Sequence, residues 1–273
     1  MNKTILVVLD ACRPDGLIQA HTPYLDSLWL TGAYTWTAQA TVPSYTLPCH
    51  MSMFRGVPAA KHGVTGNTYS PSAQAYPSIL EIAHAAGKHV AVFHSWEELR
   101  DLAAPGNVDL SYYRAYREDE DTDAIVARIA ADYVIAHQPD LTFLYLARPD
   151  YIGHLAGWMS PAYLAAIEQS DRDLGAFLER LTAAGVRDRF TLLILSDHGG
   201  HDHDHGSDRP EDLLIPWILN GPAIRRSYAL TTPVHIYDTA ATLAALLDLP
   251  LPPQWDGVPV REAWASPIKD TRP

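Results

Sequence analysis

The chain has 273 residues, of which 20 are Lys or Arg and 32 are Asp or Glu, giving a formal net charge of −12 at pH 7. Its 47% hydrophobic and 19% charged content is that of a folded globular protein, which excludes an intrinsically disordered chain. The acidic balance and the lack of a Lys/Arg cluster exclude a general nucleic-acid binder, because phosphate contacts need clustered positive charge.

The sequence gives no indication of a membrane protein or of a secreted disulfide scaffold. No apolar run approaches the roughly 18 residues that a membrane span requires. The first residues lead directly into an apolar run ending at Asp10, without the small-residue cleavage site of a secretory signal. We therefore expect the mature protein to begin at or near Met1 and to lie in the cytoplasm. Two cysteines, Cys12 and Cys49, are too few for a disulfide framework, and no role is assigned to them.

Strands and helices are predicted to alternate along the chain. Five apolar runs rich in β-branched residues predict strands at 4–9, 89–93, 141–146, 190–195 and 214–219. Their nearly continuous hydrophobicity is typical of strands buried on both faces of a parallel sheet. Helical patterns cover 48–54, 79–86, about 122–136, 161–184 and 237–247, with Asp121 or Thr122 capping the third and Ser160 the fourth. This alternation predicts a doubly wound α/β fold, with helices flanking a mostly parallel sheet.

Acidic and histidine side chains follow three of the predicted strands. Asp10 follows the first, Asp150 and His154 follow the third, and Asp197 and His198 follow the fourth. In such sheets, ligands bind beyond the carboxyl ends of the strands. A single Asp after a strand most often caps a helix or makes a turn. Several together favour a site for divalent metal ions, which bind carboxylate oxygens and imidazole nitrogens.

Two further segments carry polar side chains that suit such a site. Thr46 precedes the short predicted helix 48–54, and a hydroxyl near a helix N-terminus is placed where developing negative charge is favoured. The alternative for Thr46 is an ordinary helix cap. His201, His203 and His205 share one face if their segment is extended. The alternative is a solvated loop that supplies one or two ligands at most.

Taken together, these segments resemble the alkaline phosphatase superfamily, in particular its type I phosphodiesterase/nucleotide pyrophosphatase branch. They occur in the family's order and span most of the chain: Leu9-Asp10, Pro43 to Pro48, His62 to Asn67, Asp150 to His154, Ser196 to Gly199, and His205-Gly206. The resemblance implies an alkaline phosphatase-like fold forming a single catalytic domain over residues 1–273. It also implies a hydrolase that acts on small-molecule phosphodiesters or phosphomonoesters.

The resemblance further implies which residues bind metal ions and which take part in catalysis. The implied ligands form two sets, Asp150, His154 and His205 for one metal ion and Asp10, Asp197, His198 and the Thr46 oxygen for the other. Thr46 is the implied nucleophile, forming a phosphothreonine intermediate, and Asn67 the donor to a phosphoryl oxygen. Two zinc ions are the family default, and the oxygen and nitrogen donor set also accommodates manganese.

Other features leave alternatives open. Some threonine-nucleophile monoesterases of the superfamily clamp the phosphate dianion with an arginine, and Arg100 lies in a comparable position; the alternative is an exposed surface arginine beside Glu98. The preference between monoesters and diesters and the oligomeric state stay undetermined, and His201 and His203 match no family role. The alternative functions are a phosphoglycerate mutase- or phosphosugar mutase-like enzyme and a non-catalytic metal-binding relative.

Overall fold

A computed structural model of the protein describes residues 3–267. In this part of the chain the strands are β1 (Lys3–Leu9), β2 (Ala33–Gln39), β3 (Val90–His94), β4 (Leu110–Tyr113), β5 (Leu141–Leu146), β6 (Phe190–Leu195), β7 (Leu214–Asn220) and β8 (Tyr228–Ala229). The helices are α1 (Pro14–Gln19), α2 (Pro23–Leu30), α3 (Thr46–Arg55), α4 (Ala59–His62), α5 (Ile79–Ala85), α6 (Thr122–His137), α7 (Arg148–Ala156), α8 (Pro161–Ala183), α9 (Pro210–Leu213) and α10 (Asp238–Leu246). None of these helices combines the length and apolarity needed to cross a bilayer.

All eight strands form one sheet in the order β4-β3-β5-β1-β6-β7-β2-β8. The central strand β1 pairs in parallel with β5 and β6, and β3 pairs in parallel with β4 and β5. The sheet is therefore mostly parallel, as predicted. The apolar run 214–219 is an exception, because β7 runs antiparallel to both β6 and β2. Helices cover both faces here, so the continuous burial of this strand does not report its direction.

The two faces of the sheet pack against separate layers of helices. Along β1, Leu6 and Val8 belong to the core cluster that includes residues of α3, α5 and α10. Ile5, Val7 and Leu9 point to the opposite face and join residues of α6 and α8. This alternation buries β1 on both sides. The carboxyl ends of β1, β5 and β6 therefore open at one shared edge of the sheet.

The five predicted strands are confirmed, and three others were missed. β2 has the sequence AYTWTAQ, in which polar side chains interrupt the apolar pattern and some positions are exposed. β4 has four residues with alternating exposure, and β8 has two. Strands this short or this polar carry too little hydrophobic pattern to be recognised from the sequence alone.

The helix starts follow local capping chemistry. Ser160 caps α8, its Oγ accepting from the Tyr163 amide at 3.2 Å, and Asp121 caps α6, accepting from the Ala124 amide at 3.2 Å. Helix α3 begins at Thr46 and ends before Gly56, whose φ of 64° is left-handed. Helix α7 was not predicted, although Pro149 and the acidic Asp150 in its first turn are typical of a helix start.

The cap of α8 can be tested by substitution. We expect Ser160→Ala to lower the free energy of unfolding by about 1 kcal/mol, because the Tyr163 amide loses its acceptor. Urea denaturation followed by circular dichroism measures this change. Ser160→Asp is the matched control, since a carboxylate also caps a helix and is favoured at its N-terminus. Equal destabilisation in both variants would contradict the capping role.

Candidate metal centre and active site

The residues predicted from the strand ends meet beyond β1, β5 and β6. Asp10 directly follows β1, and Asp197 and His198 follow β6 after Ser196. Asp150 and His154 lie on α7, which begins just after β5. They are four residues apart, so one helical turn places both on the same side of α7, with His154 Nε2 3.5 Å from Asp150 Oδ1.

The first cluster contains Asp150, His154 and His205, whose ligand atoms all lie within 4.8 Å of one another. His205 Nε2 lies 3.1 Å from His154 Nε2 and 3.6 Å from Asp150 Oδ1. These are the three residues that the resemblance assigned to one metal ion. The structure therefore brings together side chains from α7 and from a loop some fifty residues later in the chain.

The second cluster contains Asp10, Asp150 and His198, again within 4.8 Å. His198 Nε2 lies 3.4 Å from Asp10 Oδ1 and 3.1 Å from Thr46 Oγ1. Asp197 adjoins this cluster, because its Oδ2 lies 3.5 Å from His198 Nε2 while its Oδ1 accepts from the Ala11 amide at 3.1 Å. The grouping differs from the implied sets in two respects: Asp150 belongs to both clusters, and Asp197 adjoins the second cluster without being a member of it.

The carboxylates of the site have oxygens without partners. Asp10 Oδ1, Asp150 Oδ1 and Asp197 Oδ2 are buried and accept no hydrogen bond within the described chain. Buried polar atoms are nearly always paired, because an unpaired one loses its hydration without compensation. Three such oxygens at one sheet edge therefore fit the demand of divalent cations for hard oxygen ligands.

The imidazoles of His154, His198 and His205 all turn Nδ1 toward the backbone and Nε2 toward the carboxylates. The Nδ1 atom of each lies at a backbone carbonyl oxygen: 2.7 Å for His198 and Gly199, 2.9 Å for His154 and His203, and 3.0 Å for His205 and Ser44. An Nδ1–H that donates to a carbonyl leaves the lone pair on Nε2, the atom that faces the carboxylates. The donor set thus fits zinc, and also manganese.

Burial shifts the pKa values of the site in opposite directions for acids and bases. Burial raises the pKa of Asp10 well above its usual range, and the Asp197 carboxylate adds to this; burial raises that of Asp150 to about 6. Burial also acts upward on the pKa of Asp197, but the His198 and His50 imidazoles outweigh it and hold that pKa below its usual range. Burial lowers the pKa of His205 to about 4, so this imidazole is neutral at pH 7, as a metal ligand must be.

Thr46 lies beside the second cluster, where its Oγ1 is 3.1 Å from His198 Nε2. It is the first residue of α3, with Tyr45 rather than Thr46 in the capping position, so the ordinary-cap alternative is wrong. Asn67 Oδ1 accepts from the Leu47 amide at 3.1 Å, which leaves the Asn67 amide nitrogen as its donor toward the cavity. The neighbouring Ser44 hydroxyl is turned away and donates to the Ser207 carbonyl at 2.7 Å.

A cavity of about 240 Å³ opens over these groups. Its lining comprises Asp10, Thr46, Asn67, Ser95, Trp96, Tyr116, Tyr145, Ala147, Asp150, Tyr151, His154 and His205. One wall is aromatic, with the Tyr116 and Tyr151 rings 4.9 Å apart. Among the described residues, no Lys or Arg lines the cavity.

Arg100 is not brought to this cavity. Its side chain is 59% exposed and pairs with Glu97 and Asp101, on a short 3-10 segment after β3. The acidic neighbours on its own segment offer nearer partners than the cavity does. The structure thus favours the alternative of a surface arginine.

Comparison with known proteins agrees with this architecture. Residues 4–219 match the family described as type I phosphodiesterase / nucleotide pyrophosphatase. The chain belongs to this family. It is 27% identical over 96% of its length to the human GPI ethanolamine phosphate transferase 2 catalytic subunit, and 26% identical over 72% to human ectonucleotide pyrophosphatase/phosphodiesterase family member 5. It spans only 29% and 44% of the lengths of these two relatives.

The solved structure of human ectonucleotide pyrophosphatase/phosphodiesterase 5 superposes with a TM-score of 0.82, covering 97% of this chain and 100% of that one at 17% identity. At this identity the likeness establishes the fold alone. The predicted alkaline phosphatase-like fold is thereby confirmed. Membership of the type I phosphodiesterase family confirms the resemblance stated from the motifs.

Sequence reasoning missed two side chains that lie beside the clusters, His50 and Tyr145. His50 is fully buried one helical turn after Thr46, its Nδ1 2.9 Å from the Thr46 carbonyl oxygen and 3.4 Å from Asp197 Oδ2. The Tyr145 hydroxyl donates to Asp10 Oδ2. The spacing of His50 from Thr46 on a helix is visible in the sequence; the Tyr145 contact depends on the pairing of β1 with β5 and is not.

Trp158 fixes the distance between α7 and the loop that carries His205. Its indole donates to the Ala11 carbonyl at 3.3 Å and lies close to two glycines. A Cβ atom at Gly153 would lie 2.5 Å from the indole, and one at Gly200 would lie 2.2 Å from it. The indole can lie this close to residues 153 and 200 only because glycine has no side chain.

We therefore expect Gly200→Ala to lower the free energy of unfolding by about 1–3 kcal/mol, because the indole and the loop must move apart. Thermal and urea unfolding measure the change. Gly66→Ala is the matched control, since its added methyl group would contact nothing within 4 Å. A Gly200 variant as stable as the Gly66 variant would show that the indole packing is not tight.

Proposed function

We propose that the protein hydrolyses phosphodiesters at a site that binds two divalent cations and uses Thr46 as the nucleophile. The observation that supports this most strongly is the clustering, at one sheet edge, of three buried carboxylate oxygens that accept no hydrogen bond with three imidazoles, one of which lies 3.1 Å from Thr46 Oγ1. Asp150, His154 and His205 would hold one cation. Asp10, Asp197 and His198 would hold the other, close to the Thr46 hydroxyl.

The cations would supply what the side chains lack. When bound, they would lower the pKa of the Thr46 hydroxyl and balance the charge of the phosphoryl oxygens and the leaving oxygen. Their charge would also offset the three aspartates and an ionised Thr46. An anionic ester could then enter a site that lies within a protein of net charge −12.

The chemistry assigned to the chain's own residues has two steps. Thr46 Oγ1 forms a bond to phosphorus as the bond to the leaving ester oxygen breaks. The hydroxyl gives its proton to solvent, and the leaving oxygen takes one from solvent to become an alcohol. Water then replaces Thr46 at phosphorus, which restores the hydroxyl and releases a phosphomonoester. Asn67, whose Oδ1 accepts from the Leu47 amide, has its own amide nitrogen left to donate to one of the phosphoryl oxygens.

A diester suits the cavity better than a monoester does. A monoester dianion calls for a cationic side chain, and no Lys or Arg of the described chain lines the cavity. A second ester group instead needs an apolar surface, which Trp96, Tyr116 and Tyr151 provide. Phosphodiesterase relatives such as the human member 5 carry this activity in their names. Zinc as the native metal, and a cytoplasmic location, remain predictions.

The nucleophile is tested by Thr46→Ala. We expect the rate of bis-p-nitrophenyl phosphate hydrolysis to fall by at least about 10³-fold, because the bond-forming oxygen is lost. Acid-quenched turnover of the wild type should show a p-nitrophenyl phosphate adduct on Thr46 by mass spectrometry. Ser44→Ala is the matched control: it removes a neighbouring hydroxyl that faces Ser207, so the adduct should still form on Thr46. Wild-type turnover in Thr46→Ala would exclude this nucleophile.

The cation requirement is tested by metal removal. Chelator-treated protein should hydrolyse neither bis-p-nitrophenyl phosphate nor p-nitrophenyl phosphate. Added Zn²⁺ or Mn²⁺ should restore activity, with the diester hydrolysed faster than the monoester. Elemental analysis should give two cations per chain, and one for Asp197→Ala, with circular dichroism confirming that the variant is folded. Activity that survives complete metal removal would exclude the mechanism. A restored enzyme that prefers the monoester would exclude the diester assignment.

A further inference from the structure

The loop from Gly199 to Ser207 carries His205 and also contains His201 and His203, to which the family resemblance gives no role. The structure gives both of them partners. His203 Nδ1 lies 3.0 Å from the His154 carbonyl oxygen, while His154 Nδ1 lies 2.9 Å from the His203 carbonyl oxygen. This reciprocal pair joins the tip of the loop to the end of α7.

The base of the same loop rests on one buried carboxylate. Asp212, on α9, has no exposed surface. Its Oδ1 lies 2.7 Å from His201 Nδ1, and its Oδ2 accepts from the Ser207 amide at 2.9 Å and from the Ser207 hydroxyl at 2.7 Å. Because residues 201 and 207 lie on either side of His205, a single side chain fixes both ends of the segment that presents this imidazole.

The contacts continue from Ser207 to the His205 ring. The Ser44 hydroxyl donates to the Ser207 carbonyl at 2.7 Å, and the Ser44 carbonyl oxygen lies 3.0 Å from His205 Nδ1. Two backbone hydrogen bonds of 2.9 Å between His201 and Asp204 close the turn before it. Asp212 is therefore linked to His205 by short hydrogen bonds through the residues that precede it and those that follow it in the chain.

The charge of Asp212 suits this role. Burial acts to raise its pKa, but the His201 imidazole and the Ser207 donors outweigh burial and hold the pKa below its usual range. The carboxylate is thus ionised at pH 7, and hydrogen bonds to an ionised acceptor are the stronger kind. An amide at this position would turn a donor toward either His201 or Ser207, which are themselves donors.

We propose that Asp212 is the positioning residue for His205, and through it for the cation held by Asp150, His154 and His205. It sets where His205 Nε2 lies, 3.1 Å from His154 Nε2. Cation binding at this cluster rests on the proposed function, but the role of Asp212 does not depend on which ester is cleaved. His201 contacts Asp212 as part of the same hydrogen-bond network and is not itself a metal ligand.

The test is the affinity of the protein for Zn²⁺, measured by competition with a chromophoric chelator. We expect Asp212→Asn to raise one of the two apparent dissociation constants by about 10–100-fold, the usual effect of losing a partner that orients a ligand, and to leave the other unchanged. Asp208→Asn is the matched control, since Asp208 is an exposed carboxylate of the adjoining segment. It should bind Zn²⁺ as the wild type does.

A second pair of variants separates positioning from stability. Ser207→Ala removes one donor to Asp212 and should weaken the same cation by a smaller factor, whereas Ser207→Thr keeps the hydroxyl and should restore the affinity. The visible absorption spectrum of Co²⁺-loaded protein should change in Asp212→Asn and Ser207→Ala only. This pair decides the matter if Asp212→Asn does not fold.

Three results would overturn the proposal: wild-type Zn²⁺ affinity and Co²⁺ spectrum in folded Asp212→Asn, equal weakening of both cations in step with the melting temperature, or Ser207→Thr behaving as Ser207→Ala. Absence of diester hydrolysis by wild-type protein that shows the expected cation affinities is a different outcome. It would refute the proposed function while supporting the role of Asp212.

Discussion

Mutual repulsion among three buried carboxylates is the constraint on which the rest of the structure depends. Asp10, Asp150 and Asp197 meet beyond adjacent strands, where burial already disfavours their charge. The nearby imidazoles of His198 and His50 lower the pKa of Asp197, whereas the pKa of Asp10 and that of Asp150 stay raised. The fold therefore holds a concentration of negative charge that protein groups alone do not balance, an arrangement that costs stability unless cations bind.

The framework tolerates this cost because every element that presents a ligand is itself fixed. β1 is buried between β5 and β6, so Asp10 has little freedom to withdraw. The amides of Ala147 and Arg148, at the start of α7, donate to the buried Asp123 carboxylate at 3.1 and 2.8 Å. Backbone carbonyls hold the three imidazoles. The ligands are therefore oriented before any cation arrives, which reduces the entropy lost on binding.

The sequence was most informative where function follows directly from a buried strand. Asp10, Asp197 and His198 adjoin apolar runs, so their shared location follows from strand pairing alone. The predicted helix start indicated Thr46, and the family resemblance alone led to Asn67. The direction of β7, the aromatic wall and the exposed position of Arg100 depend on which segments meet in three dimensions. Local pattern carries no such information, and Arg100 shows that a matching position in a motif does not place a side chain in the cavity.

One ring of the aromatic wall, Tyr116, is attached to an edge of the sheet. Beyond β4, the Arg114 and Tyr116 amides donate to the His94 and Ser95 carbonyls, which extends the pairing of β3 with the edge strand β4. An edge strand has one neighbour, so this segment opens at a lower free energy than β1, which has two. Local unfolding there would release Tyr116 and widen the cavity while Asp10 and Asp197 stay in place. Tyr116 thus belongs to a different cooperative unit from Asp10 and Asp197, whereas the other ring of the wall, Tyr151, lies on α7 beside Asp150.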